Sequence, residues 1–271
     1  MEASISLTFK QHRELLPVAK NKKGFMQDSQ SMLADAKAAW QLLTKPGTGE
    51  TQQERLNHFY GSQAQGYDRF RRRLLHGRQA LIDGLMVKRD AVWVDLGCGT
   101  AENLERFGDR IEQFSSIHLV DLCEPLLAIA KSRCNRLQTQ VPISFYESDV
   151  TQFDLASESV DLVTFSYSLT MIPDWFAAID NAYRLLRPGG VIGVVDFFVS
   201  RKHAARGEVQ HGWLTRTGWS TWFAWDNVYL DPDRLALLQH RFKQRTLHQG
   251  RGSVPFIPMV KVPYYQFIGS K

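Results

Sequence analysis

The sequence predicts an α/β fold in which a largely parallel sheet is covered by helices on both faces. Short apolar runs alternate with helical patterns from Val92 to Phe198, which is the signature of crossover-connected parallel strands. A glycine turn, "DLGCGT" at 95–100, joins the first run to the first following helix. Three successive runs end at or near a carboxylate: Asp95, Asp121 and Asp149.

Taken in order, residues 1 to about 28 are polar with weak periodicity and read as an arm. "SMLADAKAAWQLLTK" places Leu33, Ala36, Trp40 and Leu43 at helical spacing, and "PGTGE" stops it. A helical block spans Thr51 to about Leu85. The alternation then runs as strand Val92–Leu96, helix from about Ala101 to Phe107, strand Ile117–Val120, helix Pro125–Leu137 and strand Ile143–Glu147. It continues with strand Val160–Ser166, helix Trp175–Leu186, a turn at "RPGG" and strand Val191–Phe198. In the tail, "DPDRLALLQHRF" reads as a helix and "VKVPYYQFIGSK" as a closing antiparallel strand. The expected organisation is an arm and helix over 1–50 and one domain over 51–271, with an aromatic substrate or lid segment at about 200–230.

A chain of 271 residues has room for one α/β domain with an appendage. The longest apolar run, "VIGVVDFFV", holds Asp196 and falls far short of the roughly 18 residues a membrane span needs. The first residues lack the pattern of a secretory signal. Three cysteines, Cys98, Cys123 and Cys134, have no zinc-ligand spacing, so a reduced cytoplasmic protein without a metal is expected. The net charge is +5 and unevenly spread. "YDRFRRRLLHGR" clusters arginines, and from Ser200 onward eleven Lys and Arg face four acids, Glu208, Asp226, Asp231 and Asp233. Such a balance suits nucleic acid, an anionic membrane surface or an acidic substrate, or is simply a solvated face.

In open α/β sheets the ligand sits beyond the carboxyl ends of the strands. A dinucleotide turn needs a third glycine at position 102, where this chain has Glu102. A carboxylate at a helix start disfavours phosphate, so the turn points to a ligand without phosphates. Asp121 at the second strand tip suits a ribose diol, and Asp149 suits an exocyclic adenine amine.

"VDLGCGT", "HLVD", "ESDV" and "LLRPGG" resemble the motif series of the class I S-adenosylmethionine-dependent methyltransferases. The resemblance implies a Rossmann-like mixed seven-stranded sheet with an N-terminal helical cap, S-adenosyl-L-methionine as cofactor and S-adenosyl-L-homocysteine as product. It implies Asp95, Gly97 and Gly99 beside the methionine part, Asp121 and Leu122 at the ribose, and Asp149 and Val150 at the adenine. Ser166, at the fourth strand tip, is counted with this site. Position 101, often a further glycine in such motifs, is Ala101.

A narrower resemblance covers most of the chain. "AWQLLTKP", "ERLNHFYGSQAQGYDRFRRRLLHGR", "FSYSLTMIPDW", "WFAWDNVYL" and "VPYYQFIGSK" are similar to the N-methyltransferase component of betaine-lipid synthesis. It implies trimethylation of diacylglyceryl-homoserine to diacylglyceryl-trimethylhomoserine, with a separate 3-amino-3-carboxypropyl transferase as partner and peripheral contact with a membrane surface. Under that reading Tyr60, Tyr67 and Tyr167 are the candidates around the transferred methyl. Arg71, Arg72 or Arg78 would fork a homoserine carboxylate. Trp213, Trp219, Trp222, Phe223 and Trp225 would face the methylated cation or simply pack. A methyltransferase of a soluble amine or hydroxyl compound, and a binding subunit without turnover, are the alternatives. Nucleic acid is disfavoured, because the aromatic tail surrounds an acidic "WDNVYLDPD" and no base-flipping "NPPY"-like tetrapeptide follows the fourth strand.

Overall fold

A computed structural model describes residues 51–54, 57, 73–225, 228–255, 257 and 259–271. The arm and helix expected over 1–50 lie outside the described residues. The elements are α1 (Arg78–Gly84), β1 (Ala91–Leu96), α2 (Glu102–Phe107), β2 (Phe114–Asp121), α3 (Glu124–Cys134) and β3 (Ile143–Glu147). They continue with β4 (Val160–Ser166), α4 (Trp175–Leu185), β5 (Leu186–Phe197), α5 (Trp213–Ala224), α6 (Asp233–Arg241), β6 (Lys243–Ser253) and β7 (Lys261–Ser270).

The strands form one seven-stranded sheet in the order β3-β2-β1-β4-β5-β7-β6. The first five are parallel, and β7 is antiparallel to both β5 and β6. Strand order reverses at β1, so the crevice between the carboxyl ends of β1 and β4 is the switch point where a ligand belongs. β1 is buried on both faces, which is why it reads as an apolar run and not as an alternation. Trp93, with Leu81, Leu104, Phe107 and Leu127, belongs to the core of one face, which carries α1, α2 and α3. Val94 and Leu96 join the other, with Ile179 of α4 and Leu238 of α6.

One expectation is corrected. "RPGG" does not precede β5 but loops out within it: Val160 pairs with Leu186 and Leu162 with Val191, and Gly189 takes φ +78°. The structure also adds a strand, since "KQRTLHQGRGS" forms β6. This edge strand is largely exposed and basic, a composition that protects a sheet edge and hides the apolar alternation. The segment of about 200–230 contains a loop, α5 and the start of the connection to α6. The cysteines are buried, with no disulfide among them. No helix among the described residues is long and apolar enough to cross a membrane.

Asp196, near the end of β5, is fully buried. It accepts hydrogen bonds from the Thr170 N–H at 3.1 Å, the Thr170 hydroxyl at 2.7 Å and the Phe197 N–H at 2.8 Å. It thereby ties the turn after β4 to β5. Burial raises its pKa to about 6, against the Thr170 hydrogen bonds and the nearby Arg234 cation, which lower it. A carboxyl raised from 3.8 to about 6 favours the protonated folded state, so its contribution is full below pH 4 and is lost as pH rises to about 6. The stability of wild type relative to Asp196→Asn should therefore fall between pH 4 and pH 6, by up to roughly 3 kcal/mol, and stay level above pH 7. Urea unfolding at each pH measures this; parallel curves for the two proteins would contradict it.

Candidate active site

The glycine turn at the end of β1 is built by backbone hydrogen bonds and one carboxylate. The N–H groups of Gly97 and Cys98 donate to the Val120 carbonyl at 2.8 and 3.0 Å. Gly97 has φ +73°, and a Cβ there would lie 2.4 Å from the Ser168 Cβ, so only glycine fits. Asp121 closes the turn, accepting from the Gly99 N–H at 2.7 Å and from the Cys123 N–H at 2.9 Å. Ala101 caps α2 in the left-handed region, φ 57° and ψ 34°. A side chain pays about 1 kcal/mol there, which gives a physical reason for glycine at this position in similar motifs.

Beneath the turn lies a buried polar network. Asp95, fully buried, accepts from the Thr164 hydroxyl at 2.6 Å and from the Asn103 amide at 3.0 Å. The Thr164 oxygen accepts in turn from the Trp93 indole at 2.8 Å. Burial raises the Asp95 pKa to about 6, while these hydrogen bonds and Arg78 oppose the rise. Arg78 is itself buried, donating to Glu102 at 2.5 Å, to Asn103 at 3.1 Å and to Ser166 at 3.0 Å.

This network corrects three expectations. Arg78 does not present a fork to a substrate carboxylate, because Glu102, Asn103 and Ser166 hold its guanidinium. Ser166 and Asp95 lie under the cleft and do not line it. Glu102, expected to repel phosphate at the helix start, is buried and bridged to Arg78 and Arg106. The argument against phosphate passes instead to Asp121 and Asp149, which do line the cleft.

The cleft beyond the glycine turn opens to solvent. Of the expected residues, Gly97, Gly99, Asp121, Leu122, Asp149, Val150 and Tyr167 line it. Gln52, Cys123, Leu126, Ser168, Met171 and Ile172 also do, and sequence reasoning missed them. Cys123 and Leu126 stand just past Asp121, and Ser168, Met171 and Ile172 follow the fourth strand in "FSYSLTMIPDW", so their positions beside strand tips were a usable signal. Gln52 had none: it reaches the cleft from the N-terminal side, its amide donating to the Met171 carbonyl at 2.8 Å. Among the described residues no group of three or more His, Cys, Asp and Glu could hold a metal ion.

Tyr167 follows β4 with φ 57°. Its hydroxyl donates to the His76 carbonyl at 2.7 Å, and burial raises its pKa well above the ordinary value. It is therefore a neutral phenol. Its ring begins an aromatic series that leaves the cleft: Tyr167 to Phe197 at 4.6 Å, Phe197 to Phe223 at 4.7 Å, Phe223 to Trp219 at 5.7 Å and Trp219 to Trp222 at 5.8 Å. The tryptophans do not close into a cage around the cleft. Trp213 and Trp225 are 67% and 72% exposed, and Trp222 is partly exposed. Tyr60, Tyr67, Arg71 and Arg72 lie outside the described residues.

Residues 94–194 match the family model described as a methyltransferase domain, a range that runs from within β1 to within β5 and holds every lining residue of the cleft but Gln52. The sheet order and the position of the cleft agree with that match. Residues 94–194 are thus a methyltransferase domain within a Rossmann-like methyltransferase fold. It is 31% identical over 144 residues to a demethylmenaquinone methyltransferase of Chlamydia caviae, covering 52% of this chain and 60% of that protein. It is 24% identical over 153 residues to a ubiquinone/menaquinone biosynthesis C-methyltransferase of Klebsiella pneumoniae, covering 55% and 61%. The chain thus spans about three fifths of the length of these relatives. Among solved structures, the phosphoethanolamine N-methyltransferase 2 of Haemonchus contortus with S-adenosyl-L-methionine shares the fold at TM-score 0.61 and 13% identity, over 84% of this chain and 61% of that one. An S-adenosylmethionine-dependent methyltransferase of Mesorhizobium loti does so at TM-score 0.52 and 18% identity, over 71% and 96%.

Replacing Asp121 by Ala removes the clasp on the turn and the carboxylate expected at the ribose. S-adenosylhomocysteine affinity should fall roughly 10- to 100-fold in calorimetry, with circular dichroism checking that the variant is folded. Unchanged affinity would contradict the assignment.

Proposed function

We propose that the chain is an S-adenosylmethionine-dependent N-methyltransferase that trimethylates the amino group of diacylglyceryl-homoserine. The similarity of five segments, spread over most of the chain, to the betaine-lipid N-methyltransferases carries this reading. The cleft is compatible with it: Asp121 and Asp149 favour a ligand with a cationic head and no phosphate. Bound there, S-adenosylmethionine supplies a methyl group on a sulfonium, open to in-line attack by an amine.

The residues of the chain do the rest. Asp121 accepts from the ribose diol and Asp149 from the adenine amine, fixing the direction in which the methyl is presented. The acceptor amine must lose a proton first, and burial lowers its pKa. Tyr167 keeps its proton in the hydrogen bond it donates to the His76 carbonyl, so its oxygen lone pairs can accept from an ammonium. Tyr60 and Tyr67 complete the proposed set around the methyl group. With Arg78 held by Glu102, Arg71 and Arg72 are the arginines proposed for the homoserine carboxylate. Each added methyl makes the nitrogen more apolar and finally a fixed cation, which an aromatic face such as the Tyr167 ring in the cleft wall attracts by roughly 0.5–2 kcal/mol. A separate 3-amino-3-carboxypropyl transferase would supply the substrate, and the product S-adenosylhomocysteine would leave from the same cleft.

A second reading, carbon methylation of a quinone ring, is favoured by the identity to the quinone methyltransferases over the cofactor half. Mass spectrometry after incubation with S-adenosylmethionine and each acceptor separates the two. The first reading predicts mass gains of one, two and three methyls on diacylglyceryl-homoserine. A gain on demethylmenaquinone alone would replace it with the second.

A further inference from the structure

The outer side of α5 and the tip of the β6–β7 hairpin form a surface that nothing above assigns. On α5 the exposed positions are Trp213, Leu214, Thr217, Gly218, Thr221 and Trp222, followed by Trp225. At 100° per residue these fall within one half of the helix, and none of them is charged. Trp213, Leu214 and Trp225 are each about 70% exposed or more. The opposite side is anchored by Phe223, buried against Phe197 at the end of β5.

The hairpin lies at the same end of the sheet. β7 is antiparallel to β5, and Phe197 pairs with Tyr264, so residues before Tyr264 extend past the carboxyl ends of the parallel strands. At its tip Met259 is 98% exposed and held at φ 66°. Val254, at the base of the tip, packs on the same core cluster as Trp219 and Phe223. Arg251 and Lys261 are exposed where the two strands meet the tip.

We propose that this surface seats in the interface of an anionic lipid bilayer. Tryptophan, with an apolar body and a polar N–H, favours the headgroup boundary, and Arg251 and Lys261 would meet anionic headgroups. The region from Ser200 onward holds eleven Lys and Arg against four acids. Of these, Arg251 and Lys261 stand exposed beside the apolar face, a positive edge that attracts an anionic surface and repels its own copy. The aromatic series from Trp222 to Tyr167 then joins the bilayer side to the cleft wall, so an acceptor with acyl chains would reach the cleft without its tail crossing water. The inference rests on the lipid-acceptor reading and names the surface that serves it.

The test is flotation of the full chain with vesicles of phosphatidylcholine alone and with 30% phosphatidylglycerol. Wild type and the triple variant Trp213→Glu, Leu214→Glu and Trp225→Glu are compared. Wild type should float with the anionic vesicles, and brominated lipid should quench its tryptophan emission. The variant should partition about tenfold less or weaker, with S-adenosylhomocysteine affinity unchanged. Equal partitioning of the two proteins, or no flotation of wild type, would overturn the proposal. So would a wild-type dimer in sedimentation that the variant abolishes, since the face would then be covered by a second copy. Methylation of detergent-dispersed diacylglyceryl-homoserine without flotation sinks the surface and spares the function. Flotation without methylation of that lipid sinks the function and leaves the surface standing.

Discussion

The cleft depends on the carboxylate of Asp121. One side chain holds the Gly99 N–H on the turn after β1 and the Cys123 N–H at the start of α3, so the two loops that face the ligand are fixed to each other. The N–H groups of Gly97 and Cys98 tie the same turn to β2 through the Val120 carbonyl. The same carboxylate lines the cleft, and the proposed reading gives it the ribose diol. On that reading one side chain both builds the site and binds at it.

A second layer keeps that clasp in place. Asp95 is held by Thr164 from β4 and by Asn103 from α2, and Arg78 locks α1 onto the start of α2 through Glu102. Buried charges are expensive unless fully partnered, and here each carboxylate meets donors from different elements. The polar floor thus sets how β1, β4, α1 and α2 sit together, while the two apolar cores supply most of the stabilisation. Tyr167 and Asp196 extend the arrangement to β5: one lines the cleft from a left-handed turn, and the other holds that turn through Thr170.

The strands of the parallel half were legible because burial on both faces makes them apolar runs. The three acidic strand tips were legible because strand ends and helix starts are marked by the change of period. Roles that depend on packing were not. Arg78 reads the same in sequence whether it is solvated, free to fork a substrate or locked to Glu102, and only the fold decides. Glu102 looked like a carboxylate facing the ligand for the same reason. β6 was hidden because an edge strand exposes charge on both faces. Trp213 and Trp225 suggested a pocket, since a helix that exposes its aromatic side has the same letters as one that buries it.

The most direct test of this account is a crystal structure of the protein with S-adenosylhomocysteine. The account predicts the ribose diol within hydrogen-bonding distance of the Asp121 carboxylate, the adenine amine beside Asp149, and the sulfur directed toward Tyr167. A ligand bound away from the Gly97–Gly99 turn, or a ribose held by residues other than Asp121, would contradict it.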